Sequence, residues 1–307
     1  MVEIPPIAKA LQLSCLGCGG TSFLPLCSTD TAIQCADCQQ TSRWHDGILL
    51  LNTKGKADDY DAEGYSLLVE VEPRHFWFRG RNRLILSTVR ETVGELTGRS
   101  VLDIGCGTGS VLASLERAGM IGCGLDMHLT GLRYARRRVK GPLLCSSALQ
   151  VPFVSQFDVV MLCDVIEHAS DDVAILRAAR QALKDRGVVV VTVPADPRLW
   201  TPMDEMAGHK RRYSKQSLTA VLQRANLQIL FVRYFGLTLF PLLLLRRALY
   251  RHSPIVTSEE RFCLRRRAWK IPPRPLNTLL HMLMTAEVAL SRFPSSFGSS
   301  LIAVGRK

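Results

Sequence analysis

The stretch VLDIGCGTG, Val101 to Gly109, constrains this chain more than any other. Val101, Leu102 and Ile104 read as a buried strand, and Gly105, Gly107 and Gly109 stand where that strand must turn into the helix SVLASLERAG. Glycine suits the turn because a side chain would keep a ligand away from the backbone and because a tight turn needs positive φ. The apolar run Met120 to Leu125 reads as the next parallel strand and ends at Asp126, whose carboxylate is placed to bind a ribose diol. Strand, glycine turn, helix and acid-tipped strand together predict a nucleoside site.

Two nucleoside cofactors suit such a site, and the loop separates them. A dinucleotide site uses glycine-x-glycine-x-x-glycine, so that a pyrophosphate rests on the helix N-terminus. Here the third glycine comes one residue early and an acid, Asp103, precedes the loop, which suits a ligand that carries a cation. The stretch resembles the S-adenosylmethionine loop of class I methyltransferases. That resemblance implies a contact from Asp103 near the methionine part, backbone contacts at Gly105, Gly107 and Gly109, and a ribose contact at Asp126.

With 307 residues the chain can bury a sizeable core, and about two domains are expected on length alone. Hydrophobic residues at 47% and charged residues at 21% mark a globular chain, not a disordered one. A net charge of +12 favours anionic partners, nucleic acid or an acidic membrane face, without choosing between them. Met1 to Leu13 lacks the basic start of a signal peptide, so a cytoplasmic protein with reduced thiols is expected.

Four of the ten cysteines form two pairs, Cys15 with Cys18 and Cys35 with Cys38. Each pair makes a knuckle that points two thiolates at one tetrahedral ion, and the spacing is that of a zinc ribbon. Four thiolates leave no open position, so a structural role is expected for the zinc, with Cys27 a bystander. The ribbon is assigned to residues 1–52 and a polar linker to 53–73. A methyltransferase domain over 74–307 follows.

In RHFWFRGRNRLIL, Arg74 to Leu86, the second half has helical spacing and should pack on the sheet. By the resemblance an arginine of this helix binds the methionine carboxylate, with Arg83 the first candidate and Arg79 the second. Beyond Asp126, the segment Ser146 to Phe153 aligns with the adenine-contact loop of the family, where Ser147 replaces the usual aspartate. The strand FDVVML leads into CDVIEHASDD, and parallel strands place a ligand at their carboxyl ends. Cys163 is therefore expected beside the cofactor and the transferred methyl.

Asp164, Glu167 and His168 have the i, i+3, i+4 spacing of one helical face. They could hold a divalent cation that lowers the pKa of a substrate hydroxyl, or His168 could act alone as general base. The segment resembles the ubiquinone-pathway O-methyltransferases, in which two acids and a histidine at this place are associated with a divalent metal, which implies Mg2+. Further on, Trp200, Asp204, His209, Arg211, Arg212 and Tyr213 resemble a block that covers the substrate side of the sheet in bacterial methyltransferases. His209 is a second base candidate.

The fold expected is α/β, a Rossmann-like seven-stranded class I methyltransferase sheet with an N-terminal zinc ribbon and a helical insertion between the last two strands. The insertion, 235–297, opens with FGLTLFPLLLL, too short to span a bilayer, and continues into Arg246, Arg247, Arg251, Arg261, Arg265, Arg266, Arg267 and Lys270. Such a segment suits peripheral contact with an anionic membrane, or a lid over the substrate pocket. The function expected is S-adenosylmethionine-dependent O-methylation of a hydrophobic or lipid-linked small-molecule acceptor. The alternatives are a ribosomal RNA base methyltransferase, which the ribbon and the positive charge also suit, and a non-catalytic zinc-ribbon scaffold.

Overall fold

The computed structural model describes residues 11–25, 32–51, 62–237, 239–241, 243–245, 266–267, 269–290 and 295–307. At the N-terminus β1 (Phe23–Pro25), β2 (Ala32–Cys35), β3 (Thr41–His45) and β4 (Ile48–Leu50) form an antiparallel meander. Helices α1 (Ala62–Val71) and α2 (Phe76–Val93) lead into β5 (Ser100–Ile104), α3 (Ser110–Arg117), β6 (Ile121–Asp126), α4 (Leu129–Ala135) and β7 (Leu143–Cys145). Then come β8 (Phe157–Cys163), α5 (Asp172–Ala182), β9 (Leu183–Pro194), α6 (Pro202–Ala207), α7 (Lys215–Arg224), β10 (Gln228–Phe235), α8 (Arg274–Leu290) and β11 (Ser300–Arg306).

Strands β7, β6, β5, β8 and β9 are parallel, and β11 lies antiparallel between β9 and β10. These are the seven strands expected of the class I sheet. Val101, Leu102 and Ile104 are buried on both faces, as are Val188 to Val191, because helices cover each side of a parallel sheet. The sheet does not stop at β7. Strand β4 pairs with it in parallel, Ile48 opposite Leu143 and Leu50 opposite Cys145, so the cysteine unit extends the sheet to eleven strands. Ile48 and Leu49 are as deeply buried as the central strands, and an otherwise bare edge is covered.

The expected linker over 53–73 is only partly one. Residues 52–61 lie outside the described residues, as does Cys27, but Ala62–Val71 is the helix α1, whose Tyr65 and Val71 are buried against the domain. The described part of the insertion is mainly the helix Arg274–Leu290, with turns and irregular chain at 236–237, 269–273 and 295–297. Its helix α8 packs on α2 so closely that a Cβ on Gly80 would meet Met284 at 2.8 Å. Arg246, Arg247, Arg251, Arg261 and Arg265 lie outside the described residues.

Candidate active site

At the carboxyl ends of the parallel strands lies a cavity of about 650 Å³, within the size range of sites for small molecules and cofactors. Its floor includes Asp103, Gly105 and Gly107 at the end of β5, and Cys163, Asp164, Glu167 and His168 just beyond β8. One side is formed by Tyr65 and Glu72 from the first helix and its exit, another by Thr201, Asp204 and His209. The wall contributed by the insertion is largely apolar, with Leu239, Leu243, Trp269, Pro272, Leu276 and Leu280, and carries one cation, Lys270.

The three glycines of the loop have different tasks. All three have positive φ, +76° at Gly105, +51° at Gly107 and +74° at Gly109. A Cβ on Gly105 would strike Val165 at 2.4 Å, whereas above Gly107 the nearest neighbour is Tyr65 at 3.9 Å, so the backbone there is open to a ligand. Gly109 is different. A Cβ there would meet Ala135 and Val139 at 3.0–3.2 Å, so the third glycine lets α3 start against the end of α4, and it does not line the cavity. The cofactor contact expected at Gly109 is thus replaced by a packing role, the same division of labour that dinucleotide loops use.

Asp103 is almost wholly buried, and its Oδ1 has no hydrogen-bond partner. Burial pushes its carboxyl up to about 7, against the pull of Arg81, which leaves a carboxylate that would gain from a cationic ligand. Asp126 is held by its neighbours: Oδ2 accepts from Gly107 N–H and Oδ1 from His128 N–H, both at 2.8 Å. It pins the glycine loop to the tip of β6. A carboxylate has about four lone-pair sites, so capacity for a ribose hydroxyl remains. Ser147 is half-buried beyond Asp126 and, like it, stands outside the cavity lining.

The arginine of α2 that enters the cavity is Arg81, not Arg83. At 100° per residue the two point to opposite sides of the helix. Arg83 donates to Thr285 Oγ1 of α8 at 2.8 Å, while Arg81 forms a partly buried ion pair with Asp164. Arg79 is also absent from the cavity lining. A sequence-level signal for Arg81 was available, since Phe78, Arg81 and Ile85 have helical spacing and Phe78 and Ile85 are buried.

The helical face expected for Asp164, Glu167 and His168 does not form. Asp164 has φ +57° and precedes a single 3-10 turn, Ile166–His168. Its carboxylate is committed to Arg81 and to Thr192 Oγ1 at 3.1 Å. The two acids and histidine associated with Mg2+ therefore do not assemble, because the first acid already has a cation. In its place stands His209. Lys210 N–H donates to the carbonyl of Glu167 at 2.8 Å, and this strap brings His209 against His168, ring centroids 4.8 Å apart. One ligand atom from each of Glu167, His168 and His209 lies within 4.8 Å of the others.

Asp204 organises this side of the cavity. Its carboxylate accepts from Nδ1 of His209 at 2.9 Å, from Arg212 at 2.8 and 3.0 Å, and from Thr201 N–H at 2.8 Å. The network assigns the proton to Nδ1 of His209 and leaves Nε2 as acceptor. Glu167 is fully buried with no hydrogen bond to either oxygen, and its carboxyl is pushed well up by burial. Burial and the neighbouring His209 bring His168 down to about 4, so its ring is neutral near pH 7.

The four ribbon cysteines converge as well. Cys15 and Cys38 sulfurs lie 3.5 Å apart, Cys18 and Cys35 3.6 Å. A tetrahedral ion with Zn–S bonds of ~2.3 Å sets its sulfurs about 3.8 Å apart, so the cluster is compatible with zinc.

A family model for a methyltransferase domain matches residues 73–231, a little over half of the chain. The chain belongs to the methyltransferase-domain family. Within it, the ubiquinone biosynthesis O-methyltransferase of Escherichia coli is 34% identical over 142 residues, 42% of this chain and 53% of that relative. This methyltransferase domain thus spans about half the length of the curated relatives it matches. Among solved structures, phosphoethanolamine N-methyltransferase 2 of Haemonchus contortus, in complex with S-adenosyl-L-methionine, is 18% identical with a TM-score of 0.55, covering 81% of this chain and 58% of that one. A chain in the complex of the Haloferax volcanii Trm112 methyltransferase activator with a methyltransferase has a TM-score of 0.53 at 17% identity, over 82% and 97% of the two chains. At such identities the likeness is one of fold, the class I methyltransferase fold.

Proposed function

We propose that the chain is an S-adenosylmethionine-dependent methyltransferase that methylates a hydroxyl of a hydrophobic or lipid-linked acceptor. One observation carries this reading: a single cavity joins the open backbone at Gly107 and the Oδ1 of Asp103 that lacks a hydrogen-bond partner to a histidine cluster, across a largely apolar wall supplied by the insertion. Asp103 would pair with the ammonium of the methionine part, Gly105 and Gly107 would approach the cofactor with their backbone, and Asp126 would accept from the ribose. Arg81 is the cation on the cavity side of α2. Cys163 stands at the end of β8 beside the transferred methyl.

Methyl transfer is an in-line displacement at a sulfonium. The acceptor oxygen forms the new O–C bond, the C–S bond breaks with its electron pair to sulfur, and the hydroxyl proton leaves toward the Glu167, His168 and His209 cluster. The protein supplies alignment and the proton's destination. Zinc bound by Cys15, Cys18, Cys35 and Cys38 would hold the ribbon folded, and with it the pairing of β4 to β7.

The acceptor class rests on the insertion. Helix α8 lends Leu276 and Leu280 to the cavity wall while Leu279, Met282, Leu283 and Leu290 face outward, Met282 62% exposed. Arg266, Arg267, Lys270 and Arg274 stand exposed near its start. An apolar stripe flanked by cations, on the helix that borders the cavity, suits an anionic membrane face from which a lipid-linked acceptor enters.

The test is transfer of label from methyl-tritiated S-adenosylmethionine into a lipid extract, counted in the organic phase. Label in lipid that is lost in Asp103→Asn supports the reading. Label appearing instead in RNA would move the acceptor to nucleic acid, and no transfer to either would leave a scaffold.

A further inference from the structure

We propose that Glu167, His168 and His209 bind a divalent transition-metal ion at the floor of the cavity. What the ion does there rests on the methyl-transfer function proposed above; whether it binds does not.

Three observations converge. The ligand atoms of the three side chains lie within 4.8 Å of one another, Nε2 of His209 4.0 Å from Glu167 Oε1. Closing them onto one ion at ~2.0–2.2 Å from each donor takes side-chain shifts of about an ångström. Glu167 is fully buried at the cavity floor with neither oxygen hydrogen-bonded, an arrangement that is costly unless a cation or a proton completes it. The proton on Nδ1 of His209 is held by Asp204, itself fixed by Arg212 and Thr201, which is the carboxylate–histidine support that metal-bound imidazoles use.

The donor set selects the ion. Asp164 is withheld by Arg81, so the cluster offers two imidazoles and one carboxylate instead of two carboxylates and one imidazole. Imidazole nitrogen suits zinc, iron, cobalt or nickel, whereas Mg2+ prefers oxygen and octahedral water. Three protein donors leave the cavity side of the ion open, where it would lower the pKa of an acceptor hydroxyl, whose proton would then pass to solvent and not to the three side chains that hold the ion.

The probe is Co2+, added to the full chain whose ribbon has been loaded with zinc and verified by metal analysis. The expected result is one further Co2+ per chain, with visible d–d absorption that a large excess of Mg2+ does not remove. His209→Ala and His168→Gln should each abolish that absorption, Asp164→Asn should keep it, and Asp204→Asn should weaken Co2+ binding about 10–100-fold by loosening the ring it supports. Thermal melting identifies any variant that fails to fold, and His168→Gln, the more conservative change, then decides. Co2+ found only in place of ribbon zinc, or absorption that survives in both histidine variants, would overturn the proposal. Calorimetry with S-adenosylmethionine on the same samples separates the two readings: cofactor binding without the cobalt signal removes the ion alone, and the cobalt signal without cofactor binding removes the methyltransferase reading alone.

Discussion

The carboxylate of Asp204 lies 2.9 Å from Nδ1 of His209 and thereby turns Nε2 of that ring toward Glu167, 4.0 Å away. Asp204 is nearly fully buried, and its pKa is held down despite that burial by His209 and Arg212. It is charged, fixed and remote from the acceptor, which makes it a positioning residue. Asp204→Asn should lower kcat about 10²-fold while leaving the KM for the cofactor unchanged, with a stability loss of about 1–3 kcal/mol from the groups left unpaired. Steady-state kinetics with a separate denaturant titration distinguishes the two effects. A fall in stability with kcat intact would make Asp204 merely structural.

Asp103 predicts a pH dependence. Burial raises its folded pKa from the ordinary carboxylate range to about 7. A raised folded pKa means that stability is highest below the unfolded value and declines as pH rises toward 7, by an amount on the order of a few kcal/mol. Cofactor binding has the opposite slope, because the ammonium of the methionine part pairs only with the ionised form. Affinity should rise between pH 6 and about 7, then fall above about 8 as the ammonium itself deprotonates. Asp103→Asn should flatten the stability profile and weaken cofactor binding most at and above about pH 7, where the wild-type carboxyl is ionised. Thermal melts of the free protein and calorimetric titrations across this range check both slopes.

The ribbon is joined to the catalytic sheet through β4 and β7. Removing the metal with a chelator, or changing Cys35→Ser, should therefore lower the stability of the whole protein and not of the ribbon alone. Ile48, Leu49 and Leu51 are buried in that seam, each worth about 1.5–3 kcal/mol. The freed edge of β7 should also promote aggregation. Calorimetric unfolding with and without chelator measures this; an unchanged main transition would mean that the β4–β7 pairing contributes little.

The outer face of α8 can be tested with vesicles. Binding should require anionic lipid, decline steeply with salt at about 1 kcal/mol per cation near the surface, and be lost in the double variant Leu279→Asp, Met282→Asp. Sedimentation on neutral and anionic vesicles measures the bound fraction. Equal sedimentation of the double variant would exclude this face.

Local chemistry was legible in the sequence wherever a few adjacent residues decide the backbone. The strand and glycine turn at Val101 to Gly109, the acid at the tip of β6, the succession of parallel strands along the chain and the two cysteine knuckles follow from hydrophobic period, positive φ and short spacing. Contacts between distant segments were legible only in part. The block from Trp200 to Tyr213 was readable as a cover for the substrate side, but nothing in it says that Asp204 supports His209 or that His209, and not Asp164, joins Glu167 and His168. Likewise CDVIEH has the spacing of a helical face, yet Asp164 takes positive φ and its carboxylate pairs with Arg81, 83 residues earlier. Whether Arg81 or Arg83 enters the cavity depends on the rotation of α2 about its axis, which its packing against the sheet and α8 sets. The β4–β7 seam is of the same kind: an edge strand accepts any partner whose backbone is free, so only the folded chain decides which one arrives.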